Sequence, residues 1–369
     1  MNYANVLKTD EKAIFELRSL YEKYGFVQYK MSKFEEYDLY VKNKDFLVSD
    51  SIITFNDTNG KLLALKPDVT LSIIKNTQDI KNSVQKVYYN ENVYRVSKGT
   101  HTFKEIMQTG LECVGDIDTF NICEVVALAA KSLNAISDSF VLDISHMGVV
   151  SAVLEGIDVP DDAKAEILKC IGEKNNHDIK KICDEYGADC ENIVALVSTY
   201  GSLDTVIEKL KQMNCGFEVA LSELEKINIF MKHEGFDKCI NLDFSIVNDM
   251  NYYSGIVFRG FVEGIPTGIL SGGQYDKLMA KMGRKCGAIG FAVYLDMLER
   301  LNENIKKYDV DTVLLYNMGA DEVNIANLIK MFTDNGNSVL AVKAIPENLK
   351  YRQIISLKDR GFEILENND

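Results

Sequence analysis

At 369 residues, 46% of them hydrophobic and 26% charged, the chain has the composition of a folded globular protein, which excludes wholesale disorder. At roughly 150 residues per domain it has length for two or three domains. Its 41 Lys and Arg against 55 Asp and Glu leave a net charge of −14 without a long basic run, which excludes nucleic-acid binding through a general positive footprint.

The first residues, MNYANVLKTDEK, become charged at once, so a secretory signal is not expected. No stretch of about 18 apolar residues is evident, so no membrane span is expected either. Eight cysteines, at 113, 123, 170, 183, 190, 215, 239 and 286, are scattered without a C-x-x-C pair. That usage suits free thiols in a reducing cytoplasm. Cys170, His177, Cys183 and Cys190 fall at irregular spacing in a helical-looking segment, so no metal site and no cofactor are expected.

Residues 8–25 carry Ile14, Leu17, Leu20 and Tyr21 at helical spacing. Between 45 and 66, FLVSDSIITFND and LLALK read as strands around the turn DTNGK. Pro67 bends the chain, and Asp68 can cap a helix running through Leu71, Ile74 and Ile80. KVYYNENVYRV and FKEIMQTGLECVG form a strand pair joined by SKGTHT, followed by a helix at 120–136 and the strand FVLDISHMG. From about Asp161 to Gly235 amphipathic helices recur, several opened by Asp or Ser, and this stretch reads as a helical insertion. Strands return in INLDFSIVNDMNYYSGIVFRGFVEG, with TGILSGG as a hairpin partner. The apolar residues 285–303 are expected to close the main domain as a helix. From Asp309 the order TVLLYN, VNIANLIKMF, SVLAVKA, NLKYRQIISL, FEIL predicts a small parallel βαβαβ unit.

Four polar segments sit in strand or turn context: LKPDVT, QTGLE, NDMNYYSG and LSGGQYD. Asp68 and Glu112 supply carboxylates, and Thr70, Gln108, Tyr252 and Tyr253 supply donors. Such a set can clasp a small zwitterion, because an ammonium takes carboxylate and hydroxyl oxygens while an imidazole N–H takes a drier acceptor. Gly272 and Gly273 would let a ligand approach the backbone. Each also has an ordinary structural role. Asp68 can simply cap a helix, one of two adjacent strand tyrosines packs inward, and paired glycines commonly mark a bulge or turn.

The order of these segments, LKPDVT, YRV…QTGLECVG, NYYSGIVF and SGGQYDKL…GAIGFAVYLDML, resembles the histidyl-tRNA synthetase core across nearly the whole chain. The resemblance implies an α+β class II synthetase-like fold, an antiparallel sheet flanked by helices. It places that core at 1–305, with the insertion at about 160–236, and a shortened anticodon-binding-like α/β domain at 309–369. Carried over by residue, Asp68 and Thr70 would hold a ligand's α-amino group and Gln108 its backbone end. Glu112 would meet an imidazole, and Tyr252 and Tyr253 belong to the histidine-recognition strand.

The departures are as informative. Where the family's Arg-Gly-Leu-Asp-Tyr-Tyr segment begins with Arg, this chain has Asn248, and the stretch expected to set an Arg against ATP reads Leu295-Asp296-Met297-Leu298. Arg95 is kept, but the following family residues are replaced around Ser97 and Lys98, and an expected Pro is Ser32. An acid and a thioether cannot hold a triphosphate, so adenylation is expected to be lost while the amino-acid clasp remains. This pattern resembles the regulatory-subunit family of ATP phosphoribosyltransferase. It implies a non-catalytic cytoplasmic partner of the short-form catalytic subunit, acting in histidine biosynthesis with L-histidine as effector and with self-association through the core. The alternatives are a divergent histidyl-tRNA synthetase and a free-standing amino-acid-binding module.

Overall fold

The computed structural model describes residues 7–43, 52–97, 100, 102–213, 215–247, 253–301, 307–358 and 361–368. It divides into two units, residues 1–301 and 302–369.

The first unit opens with α1 (Thr9–Lys23) and the short strand β1 (Val27–Gln28). A small three-stranded sheet follows from β2 (Phe34–Glu36), β3 (Thr54–Asn56) and β4 (Leu62–Leu65), with α2 (Tyr37–Val41) between its first two strands. After α3 (Thr70–Asn76) comes a long antiparallel hairpin, β5 (Val84–Val96) and β6 (Phe103–Gly115), then α4 (Thr119–Ile136), β7 (Phe140–His146) and α5 (Met147–Glu155). The expected helical stretch contains α6 (Asp161–Gly172), α7 (Asn176–Tyr186), α8 (Glu191–Val197), a short β8 (Tyr200–Ser202), α9 (Leu203–Gln212) and α10 (Glu218–Glu234). The unit closes with β9 (Ile240–Asp243), β10 (Ile256–Val262), β11 (Leu270–Gln274), α11 (Asp276–Lys281), β12 (Gly287–Tyr294) and a 3-10 helix at Leu295–Leu301.

Nine strands form one sheet in the order β1-β5-β6-β12-β11-β10-β7-β9-β8. It is antiparallel through its centre and parallel at β1·β5 and β7·β9, hence mixed. Successive side chains on a strand point to opposite faces. Leu111 and Cys113, Phe291 and Val293, Phe258, and Leu142 and Ile144 therefore meet Leu17 and Tyr21 of α1 and Val126, Ala129 and Leu133 of α4 in the main core. Each such buried Leu, Ile or Phe contributes on the order of 2 kcal/mol, the usual worth of removing a large apolar side chain from water. Gly260 of β10 is required there, because a Cβ on it would sit 2.6 Å from Leu133 Cδ1. The opposite face carries a second core from Tyr40, Leu71, Ile74, Tyr89, Val114, Tyr275 and Leu278, supplied by α2, α3, α11 and the chain around them.

Besides the helix expected to run through Ile80, which stops at Asn76, three expectations need correction. Residues 287–294 are a strand rather than part of a closing helix. Here large residues (Ile289, Phe291, Val293) alternate with small ones (Gly290, Ala292), a period of two hidden inside a continuously apolar run. α4 is also long and apolar enough, by length and composition alone, to cross a membrane, contrary to the expectation that no such stretch exists. It is the core helix of the first unit, with 61% of that window buried in the protein. The cysteines of the insertion, Cys170 and Cys183, are buried in its apolar interior, which raises both thiols.

The second unit has β13 (Val310–Leu315), α12 (Glu322–Asp334), β14 (Val339–Val342), β15 (Tyr351–Leu357) and β16 (Phe362–Asn367), with sheet order β14-β13-β15-β16. The third correction falls here: the expected helix at NLKYRQIISL is strand β15, so the order is βαβββ. β13, β14 and β15 run parallel and β16 antiparallel. The adjacent β-branched residues Ile354 and Ile355 explain it, because they fill the apolar clusters on the sheet's two faces, Ile354 with Val310 and Val313, Ile355 with Leu314 and Leu328.

Candidate ligand-binding site

On the second face of the nine-stranded sheet, register brings the polar residues of distant segments together. Glu112 lies opposite Gly290, and Gln108 opposite Tyr294, across β6 and β12. Ser271 of β11 pairs with Ala292 on one side and Arg259 of β10 on the other. These residues line a cavity of about 230 Å3 together with Asp68, Thr70, Tyr89, Arg95, Tyr253 and Tyr275. That is smaller than the roughly 300–1,000 Å3 of pockets for drug-sized ligands and suits a single small metabolite.

Glu112 is the most buried charge-bearing group of the cavity, 2% exposed. Thr70 Oγ1 donates to its Oε1 at 2.8 Å, and the Tyr275 hydroxyl donates to Oε2 at 2.5 Å. Burial pushes its carboxyl up to about 8, although both hydroxyls favour the ionised form and the nearby Asp68 opposes it. Gly290 makes this position possible, since a Cβ there would lie 1.8 Å from Glu112 Oε2. The carboxylate thus rests on bare backbone, held by two hydroxyls from separate elements.

Asp68 serves both roles considered from sequence. Its Oδ1 accepts from the Leu71 N–H at 2.9 Å, capping the first turn of α3, while the residue also lines the cavity. Burial raises its carboxyl, opposed by the Leu71 N–H and by Arg95. Arg95 is tied to this corner by its Nε donating to the Pro67 carbonyl at 3.0 Å. Lys66, just after β4, is fully buried and pairs with Glu91 of β5 at 2.7 Å.

The structure therefore brings Asp68, Thr70, Gln108, Glu112 and Tyr253 to one cavity. Tyr252 lies outside the described residues, as do Asn248 and Lys98. At Gly273 the close approach comes from the protein itself, for a Cβ there would meet the Ile256 carbonyl oxygen at 2.6 Å and the Tyr253 ring at 2.8 Å. Sequence reasoning did not single out Tyr275, Tyr89, Tyr294, Ser271 or Arg259. Tyr275 lay within a quoted segment, and Arg259 is the lone charge in the strand IVFRGFV, a readable signal.

With this geometry in place, the chain can be set beside known proteins. A family model described as histidyl-tRNA synthetase matches residues 6–298. A relative from Ruminiclostridium cellulolyticum, described as an ATP phosphoribosyltransferase regulatory subunit, is 25% identical over 368 residues, covering 96% of this chain and 87% of its own. A solved structure from Bacillus halodurans, described as an ATP phosphoribosyltransferase regulatory subunit/histidyl-tRNA synthetase, shares the fold at TM-score 0.76 and 22% identity, over 94% of this chain and 93% of that one. A chain from the ATP phosphoribosyl transferase (HisG:HisZ) complex of Thermotoga maritima shares it at TM-score 0.63 and 20% identity, over 78% of this chain and 97% of that one.

Proposed function

The chain belongs to the histidyl-tRNA synthetase family, and on that premise we propose that it is the histidine-binding, non-catalytic regulatory subunit of ATP phosphoribosyltransferase. The observation that carries the reading is the buried Glu112, held by Thr70 and Tyr275 in a cavity sized for one amino acid. An imidazole brought to Glu112, which keeps its proton up to about pH 8 in the unliganded protein, favours the ionised carboxylate, and a desolvated hydrogen bond to a charged group is strongest. The same buried acceptor rejects an apolar side chain, which would leave it unpaired.

Asp68 and Thr70 would hold the ligand's α-amino group and Gln108 its backbone end, with Tyr253 and Tyr252 beside the ring. The regulatory role is supported by the relative from Ruminiclostridium cellulolyticum, whose match runs nearly end to end. Loss of adenylation is supported by Asn248 and by Asp296 and Met297, where the synthetase resemblance expects arginines. The partner is the short-form catalytic subunit in a cytoplasmic hetero-oligomer, and the synthetase-like core also self-associates. Together they condense ATP with phosphoribosyl pyrophosphate, the first step of histidine biosynthesis, and this chain contributes no catalytic residue.

Control works by linkage. Histidine shifts the assembly toward the inhibited state only as far as it binds that state better, typically by about 1–3 kcal/mol of coupling. Titration calorimetry of the purified chain with L-histidine and, separately, histidine-dependent ATP–pyrophosphate exchange test this reading. Binding without exchange is the expected result. Exchange at a synthetase's rate would overturn it in favour of a divergent synthetase, and no binding would remove the histidine site.

A further inference from the structure

We infer that the Arg259 guanidinium recognises the ligand's α-carboxylate, so that the cavity takes its amino acid as a zwitterion stretched between Glu112 and Arg259. This rests on the amino-acid reading above and adds the residue that separates amino acids from their carboxylate-free analogues.

Val257, Phe258 and Arg259 of β10 all line the cavity, Arg259 as the strand's one charged residue, while Val257, Phe258 and Val262 also belong to the main core. Arg259 is half-buried, and its stem is fixed. A Cβ on Gly268 would come within 2.7 Å of its Cγ and 2.9 Å of its Cδ, so the methylenes lie against bare backbone. The head is uncommitted. Among the described residues no acceptor bonds to the guanidinium and no carboxylate pairs with it.

The acid beside it shares its sheet face but is bonded elsewhere. Asp143 of β7 is its register partner, yet that carboxylate receives Asn241 Nδ2 at 3.3 Å and the Tyr200 hydroxyl at 3.4 Å. Every other charge in the cavity is answered: Asp68 by the Leu71 N–H and Arg95, Glu112 by two hydroxyls. A partly desolvated cation without a partner is costly, and an anion arriving with the ligand removes that cost. A guanidinium offers a carboxylate two parallel N–H bonds in a plane.

The spacing also fits. Glu112 and Arg259 are three strands apart across β6, β12, β11 and β10. Three spacings of about 4.8 Å across the strands and a two-residue register offset of about 7 Å along them put roughly 16 Å between their backbones. The two side chains, a hydrogen bond at each end and one amino acid fill that interval. Gln108 and the Ser271–Tyr294 hydroxyl pair at 2.9 Å add neutral polar wall to the same cavity.

Calorimetry with L-histidine and with L-histidinol, in which CH2OH replaces the carboxylate, tests the assignment on the full chain. The wild type should prefer histidine at least tenfold. Arg259→Gln should lose most of that preference through weaker histidine binding, with histidinol changed less than twofold, and Arg259→Lys should keep part of it. Arg259→Gln binding with the wild-type preference would overturn the assignment and leave the histidine reading intact. A wild type that binds both compounds equally would overturn it too, without any variant having to fold. A wild type that binds neither would instead overturn the histidine reading itself.

Discussion

Glu112 holds its proton to higher pH in the folded chain than in the unfolded one, where an ordinary glutamate ionises near 4.5. A raised folded pKa stabilises the protein fully below the unfolded value, and that contribution is lost as pH climbs through about 8. The unliganded protein should therefore lose on the order of a few kcal/mol between pH 6 and pH 9 from this group. Thermal melting across that range should show a smaller loss for Glu112→Gln. Parallel pH profiles would mean the group is not held protonated. Gly290 gives a second test at the same point. Gly290→Ala places a methyl where Glu112 Oε2 now lies, and should reduce histidine affinity at least tenfold by displacing the carboxylate. Unchanged affinity by calorimetry would show that Glu112 is not the ligand's acceptor.

At the scale of elements, the corner that carries Asp68 depends on a buried ion pair between strands. Lys66 is fully buried against Glu91, and the Lys66 carbonyl accepts from the Tyr94 N–H at 2.8 Å. Glu91→Ala would strand the ammonium and should cost about 3–5 kcal/mol, measurable by urea denaturation. A cost below about 1 kcal/mol would show that the ammonium finds water instead. The same scale separates what the residues disclosed from what they did not. The hairpin β5–β6 was legible because KVYYNENVYRV and FKEIMQTGLECVG alternate around a polar turn. Strand β12 was not, because its cavity face offers Gly290 and Ala292, small and not polar, before Tyr294 at its end, so the alternation looks like an apolar run. In β15 the apolar pair Ile354 and Ile355 serves clusters on two faces, and a one-dimensional pattern cannot distinguish that from one helical stripe. Five of the six candidate ligand residues fall at one cavity, a proximity that no spacing in the sequence shows, because it arises from register between strands more than 170 residues apart.

At the scale of the whole molecule, the main unit joins a sheet face that is largely closed by α1 and α4 to one that is left partly open over Glu112 and Arg259. In the proposed function that open face is the sensor. The acidic surface that a net charge of −14 implies is poorly suited to capturing tRNA and compatible with a protein partner. Histidine bound there can inhibit only if the assembly has two states of different histidine affinity. The central claim is then tested most directly by phosphoribosyl-ATP formation by the short catalytic subunit from the same genome, assayed alone, with this chain, and with this chain plus histidine. The account predicts stimulation by the chain and its reversal by histidine. A catalytic rate indifferent to the chain in both conditions would contradict it.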